Sequence, residues 1–187
     1  MIIVMGLPGA GKTTVLQKAM ESVKEWRVVN YGDLMFEIAS REGLVKDRDE
    51  MRKLPADKQR RIQDMVGDKL AGMSGKVILD THCSVRTPLG YMPGLPYEQL
   101  RKFKVDYLVF ISAPPKDILS RRKRDESRKR DVVSIAEIEA DLAVNTAYLC
   151  AYSALSGANV SIILNADGKL EEAARKLAEV INSVGEK

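Results

Sequence analysis

Residues 6–14 read Gly6-Leu7-Pro8-Gly9-Ala10-Gly11-Lys12-Thr13-Thr14, directly after the apolar run Ile2-Ile3-Val4-Met5. Gly6, Gly11, Lys12 and Thr13 fill the fixed positions of G-x-x-x-x-G-K-[ST]. A loop of this kind curls its backbone N–H groups inward around a phosphate, a shape that Cβ atoms obstruct. Lys12 is placed to reach the β- and γ-phosphates of a nucleoside triphosphate, and the Thr13 hydroxyl to meet Mg²⁺. Val15, Leu16, Ala19, Met20 and Val23 then recur at helical spacing. The motif therefore joins a short strand to an amphipathic helix, whose N-terminal end adds positive potential to the same anion site. The competing reading is a Gly-rich strand–helix turn without a ligand.

Outward from the motif, short apolar runs alternate with longer amphipathic ones, the rhythm of βαβ units around a parallel sheet. Strands are expected at Ile2–Met5, Arg27–Val29, Lys76–Leu79, Tyr107–Ile111 and Ser161–Leu164. Helices are expected near residues 12–25, 33–43, 57–72, 116–124, 134–156 and 169–184. The fifth of these is well marked: Ser134 with Glu137 makes a capping box, and Gly157 supplies a C-terminal stop. The expected fold class is α/β, a three-layer P-loop NTPase fold with a five-stranded parallel sheet flanked by helices.

Composition bounds the rest. With 187 residues, 45% of them hydrophobic and 30% charged, the chain reads as one ordinary globular domain. It holds no apolar run long enough to cross a membrane and opens without a basic leader, which predicts a cytoplasmic protein with no membrane partner. Cys83 and Cys150 lie far apart and His82 is the sole histidine, which argues against a disulfide framework or a zinc site. The net charge of +4 is localised: residues 121–131 hold seven basic and three acidic side chains, and the remainder carries 23 of each sign.

Val77-Ile78-Leu79-Asp80 is an apolar strand ending in an acid, the position from which P-loop enzymes support Mg²⁺, directly or through water, beside the loop hydroxyl. The 17 residues from Thr81 to Tyr97 lack strong periodicity and contain three prolines, so an ordered, stiff loop is expected. Arg86 is its strong phosphate binder, and His82 reads better as a satisfied loop histidine than as a catalytic base. Arg121, Arg122, Arg128 and Arg130 have the guanidinium forks that suit the equatorial oxygens of a transferring phosphoryl group. The alternatives for 121–131 are a solvated loop or an RNA-binding patch. No aromatic residue is interleaved there for stacking on bases.

Taken together, several segments resemble the archaeal-type adenylate kinases of the nucleoside monophosphate kinase superfamily. They are Gly6–Thr14; Val29-Asn30-Tyr31-Gly32-Asp33 with Met35-Phe36-Glu37; and Asp47-Arg48-Asp49-Glu50-Met51-Arg52-Lys53-Leu54. The later ones are Asp80-Thr81-His82, Thr87-Pro88 with Gly90-Tyr91, Pro93-Gly94-Leu95-Pro96, and Arg121-Arg122 with Asp125-Glu126-Ser127-Arg128 and Arg130-Asp131. They span nearly the whole chain in the expected order.

The resemblance implies a core at 1–30, 61–120 and 132–187, an acceptor-nucleotide-binding insertion at about 31–60 and a short lid at about 121–131. It implies reversible transfer of the γ-phosphoryl of MgATP to AMP, giving two ADP, and a homo-oligomer such as a trimer. On this chain Gly6–Thr14 would serve ATP, with Thr13 and Asp80 serving Mg²⁺. Gly32 and Asp33 lie where the AMP site begins. Lys12, Arg121, Arg122, Arg128 and Arg130 are the catalytic candidates.

The chain departs from the bacterial and eukaryotic pattern in two places: Phe36 stands where an arginine is usual, and Thr81-His82 replaces Gly-Phe. Arg41, Arg52 and Arg86 are therefore the candidates for the AMP phosphate. Other functions the sequence leaves open are a kinase for CMP, UMP or a small acceptor, and an RNA- or ribosome-associated NTPase, also as a second role.

Overall fold

The computed structural model describes residues 1–51, 53–87, 89–124 and 134–185. In chain order the elements are β1 (Ile2–Gly6), α1 (Lys12–Met20), β2 (Trp26–Asn30), α2 (Tyr31–Arg41), α3 (Arg48–Met51), α4 (Ala56–Ala71) and β3 (Lys76–Asp80). There follow β4 (Ser84–Thr87), β5 (Gly90–Pro93), α5 (Tyr97–Leu100), β6 (Tyr107–Ser112), α6 (Pro115–Arg124), α7 (Ile135–Ser156), β7 (Asn159–Leu164) and α8 (Leu170–Gly185).

Five strands form one parallel sheet in the order β2-β3-β1-β6-β7. Strands covered on both faces are continuously apolar, and their period of two splits them between two layers. Ile3, Met5, Leu79, Leu108 and Phe110 pack with side chains of α2, α4 and α7. Ile2, Val4, Ile78, Val109 and Ile111 face the other way, against α1 and α8. The α/β sandwich expected from the sequence is thus the observed one.

The strand order reverses about β1: the chain runs first to β2 and back to β3 on one side, then crosses to β6 and β7 on the other. In open α/β sheets ligands bind outside the carboxyl ends of the strands at such a point. The ends of β1 and β3, at Gly6 and Asp80, meet there. A third small cluster, Leu7, Ala10, Ala113, Ile118 and Ile138, seats the loop that follows β1.

Two expectations are corrected. The 81–97 stretch contains an antiparallel hairpin, β4 with β5, rather than only loop. Its hold comes from α7: Tyr152 Oη donates to Cys83 O at 2.7 Å, Tyr148 Oη donates to Tyr91 O at 3.1 Å, and Ser84 N donates to Asn145 Oδ1 at 3.2 Å. Helix α1 also stops at Met20, short of residue 25. Ser22 Oγ bonds back to Ala19 O at 3.0 Å, and Glu25 takes a positive φ of 66°. Both serve to turn the chain into β2.

Among the described residues no helix is long and apolar enough to cross a membrane.

Candidate active site

The loop after β1 owes its shape to glycine at two positions. A Cβ on Gly6 would lie 2.8 Å from the Ile111 carbonyl oxygen of the neighbouring strand. Gly11 has φ 82°, and a Cβ there would lie 2.5 Å from Asn165 Nδ2. Gly11 is also the N-cap of α1, with no side-chain cap and no acidic residue in the first turn. The first-turn N–H groups of α1 are therefore left to an anion, which the helix end also attracts electrostatically. Thr13 and Thr14 stand exposed in that turn.

At the carboxyl end of β3, Asp80 is buried at 7% exposure, with both oxygens occupied. Lys12 Nζ donates to Oδ1 and also to Thr81 O at 3.1 Å; Asn30 Nδ2 donates to Oδ2 at 2.9 Å. Burial pushes the Lys12 ammonium down to about 8. The parallel register that sets Asn30 beside Asp80 brings this contact about. Asn30 Oδ1 in turn accepts from Asp33 N at 3.0 Å and so caps α2. Sequence reading had no means of finding Asn30, because its role depends on that pairing.

Behind the loop, α6 braces it. Arg121 Nη1 donates to Ala10 O at 3.3 Å, its Nη2 to Asn165 O at 3.0 Å, and its Nε to Asp167 Oδ1 at 2.9 Å. Arg122 Nε donates to Pro8 O at 2.8 Å. Asn165, at the end of β7, adds a second donor to Ala10 O at 2.9 Å. Two of the four candidate arginines thus lie against the phosphate loop itself. Arg128 and Arg130 fall outside the described residues, as does Arg52.

On the acceptor side, Gly32 and Asp33 open α2 next to Asn30 and are exposed. Arg41 closes the same helix, also exposed, a helix length away. Arg86, on β4, is turned to α7: its Nη2 donates to Glu137 Oε1 at 3.1 Å, and its Nη1 lies 3.7 Å from Asp141 Oδ1. Tyr91 also donates to Asp141, which with burial holds its phenol above the usual range.

A further arginine that the sequence reading gave no role, Arg48, pairs with Asp33 and lies 5.5 Å over the Phe36 ring. Gly94 N donates to Cys83 O at 2.9 Å, and Gly94 lies so close to the backbone of the exposed His82 that an added Cβ would strike the His82 carbonyl oxygen.

Residues 5–139 match the family model described as AAA domain. The chain is 46% identical to an adenylate kinase of Methanopyrus kandleri, with 98% of each chain covered. It is 42% identical to an adenylate kinase of Methanocaldococcus jannaschii, covering 96% of this chain and 97% of that one. Against an adenylate kinase of Pyrococcus furiosus it is again 42% identical, with 97% and 94% covered.

Among solved structures, shikimate kinase from Acinetobacter baumannii in complex with shikimate aligns with TM-score 0.59 at 20% identity, covering 100% of this chain and 94% of that one. Shikimate kinase from Bacteroides thetaiotaomicron aligns with TM-score 0.58 at 17% identity, with 97% of each covered. These two likenesses show the fold alone.

Proposed function

The chain belongs to the adenylate kinase family, and we propose that it transfers the γ-phosphoryl group of MgATP to AMP, reversibly, giving two ADP. The observation that carries the reading is identity of 42–46% over nearly the full length of chains named adenylate kinase. That span includes the acceptor-side segments as well as the phosphate loop, which by itself reads only the donor.

In the forward direction an oxygen of the AMP phosphate attacks the γ-phosphorus as the bond to the β-phosphate oxygen breaks. One ADP forms on each side. Such a transfer is governed by positioning and by stabilisation of charge on the equatorial oxygens.

The first-turn N–H groups of α1 and the residues Gly6–Thr14 cradle the ATP phosphates. Lys12 leaves Asp80 for the β- and γ-phosphates. Thr13 and Asp80 offer one hydroxyl and one carboxylate, the sparse donor set that suits Mg²⁺ when phosphates supply other ligands. Mg²⁺ held there with the nucleotide would supply positive charge against the phosphates during transfer. With Lys12 turned to the phosphates, Asp80 Oδ1 would be available to hold the metal or its water.

Arg121 and Arg122 hold the loop, and with Arg128 and Arg130 they are the proposed stabilisers of the transferring group. Gly32, Asp33, Arg41, Arg52 and Arg86 are proposed for the AMP side. Arg86 would exchange Glu137 and Asp141 for phosphate. The functional division is a core, an insertion at about 31–60 and a lid at about 121–131.

We also infer self-association, as a trimer or another homo-oligomer. Past Glu139 the outward side of helix α7 is largely apolar: Ala143, Ala147, Ala151 and Leu155 are exposed there, with Thr146 the polar residue among them. Ile162 and Leu164 of the edge strand β7 are each 55% exposed as well. A contiguous exposed apolar face of this kind marks an interaction surface.

An acceptor series tests the main reading. AMP is expected to exceed CMP and UMP as phosphoryl acceptor from MgATP; equal use of the three would make the chain a broader nucleotide kinase. An added RNA contact through 121–131 predicts salt-sensitive retention on RNA, which Lys123→Glu with Arg124→Glu should weaken without affecting transfer.

A further inference from the structure

The two carboxylate oxygens of Asp80, at the carboxyl end of β3, are held by different kinds of partner. Oδ1 accepts from Lys12, the side chain that nucleotide phosphates would draw away. Oδ2 accepts from Asn30 Nδ2 at 2.9 Å, a neutral amide on the neighbouring strand.

The other end of the Asn30 amide fixes its orientation. Asn30 Oδ1 accepts the Asp33 N–H at 3.0 Å, which only the oxygen can do, so the nitrogen is the atom turned to Asp80. The register of β2 on β3 sets Asn30 directly beside Asp80, and its cap on α2 keeps the side chain there. Asp80 is buried, so these bonds fix the plane of its carboxylate in a nearly dry place.

One oxygen of Asp80 is thus exchangeable and the other is not. A cation held with the phosphates between Thr13 and Asp80 meets a single carboxylate oxygen. That suits Mg²⁺, which keeps a near-ideal octahedron with several waters. It suits Ca²⁺ poorly, because that ion takes more oxygens and gains from a carboxylate that offers both of its own.

Resting on the phosphoryl-transfer reading above, we infer that Asn30 sets metal selectivity: by holding Oδ2 it leaves Asp80 one oxygen for the cation, and so favours magnesium over calcium in the donor complex.

Asn30 acts here through Asp80 and is a positioning residue. Two substitutions separate that role from its helix cap. Serine caps a helix as well as asparagine does, but is one bond shorter and gives up the hold on Asp80. Aspartate keeps both the shape and the cap, and replaces the donor with a second negative acceptor, which frees Oδ2 and adds a carboxylate.

The experiment is calorimetric titration of the full chain with MgATP, with CaATP and with ATP in excess EDTA, all without AMP. Wild type, Asn30→Ser and Asn30→Asp are compared, with thermal melts of each. Wild type should bind MgATP more tightly than CaATP. Asn30→Ser is expected to lower the MgATP-to-CaATP affinity ratio by about tenfold, the scale on which a hydrogen-bond partner of a metal-binding carboxylate acts. Its affinity for metal-free ATP should stay close to wild type. Asn30→Asp should lower the ratio further, through a gain in CaATP affinity.

An unchanged ratio in the folded variants overturns the inference while leaving the kinase reading intact. So does an equal loss of MgATP, CaATP and metal-free ATP binding with a lowered melting temperature, which would reduce Asn30 to holding α2 in place. A wild-type protein that binds no ATP overturns the inference and the reading together.

Discussion

Asn30 donates its side-chain amide to Asp80 Oδ2 at 2.9 Å while its own Oδ1 accepts the backbone N–H of Asp33 at 3.0 Å. One residue at the end of an edge strand thus orients the acid beside the phosphate loop and starts the helix that opens the acceptor side. Truncation to Ala removes a helix cap and a bond to a buried carboxylate. Asn30→Ala is expected to cost about 2 kcal/mol, seen as a loss of roughly 4–8 °C in melting temperature. Both substrate KM values should rise with it. A melting temperature within error of wild type would show that water replaces both bonds.

Lys12 carries the donor side. Lys12→Met is expected to lower turnover by at least about a hundredfold, the scale of one lost preorganised electrostatic contact. The fold should survive, because the side chain serves the nucleotide. Circular dichroism and melting of the variant check that half of the statement.

The same residue sets a pH limb. Burial brings the Lys12 ammonium down to about 8, so in the free enzyme it is charged below that pH and neutral above. The phosphates need the charged form. The kcat/KM for MgATP, which reports the enzyme before MgATP binds, should therefore fall as pH rises through about 8, approaching tenfold per unit beyond it. A profile at saturating AMP that stays flat to about pH 9.5 would contradict this.

Arg121 braces the loop from α6 through Ala10 O and ties it to β7 through Asn165 O. Arg121→Ala should depress kcat/KM for MgATP by about tenfold or more, with a smaller effect on AMP affinity. The separate KM values measure the split.

Gly94 tests the hairpin. An added Cβ would run into the carbonyl oxygen of His82, which is backbone and cannot swing away. Gly94→Ala is expected to destabilise by about 2–3 kcal/mol. Thermal melts read the loss, and weakened AMP use should accompany it if the hairpin borders the acceptor.

What was legible in the sequence follows the range of the signals. The strands Ile2–Gly6, Lys76–Asp80 and Tyr107–Ser112 announce themselves because both faces are buried, leaving unbroken apolar runs. The phosphate loop is equally local. The hairpin β4/β5 was not legible, since Tyr148, Tyr152 and Asn145 hold it from about 60 residues away. Asn30 acquires its meaning only through strand register, and Arg48 only through α3 folding back on Asp33, 15 residues earlier.

Self-association is a separate question with its own readout. Leu155→Glu combined with Ile162→Glu should shift the mass in multi-angle light scattering from an oligomer to a monomer, because both side chains are more than half exposed in the isolated chain. A wild-type protein that is already monomeric would remove the inference.

The most direct test of the central claim gives the purified chain ADP and Mg²⁺ alone and follows the nucleotides by chromatography. Two ADP should become ATP and AMP in equal amounts, with Lys12→Met close to inactive under the same conditions. A folded wild-type protein that yields no AMP, or that releases AMP and phosphate without ATP, would contradict the account.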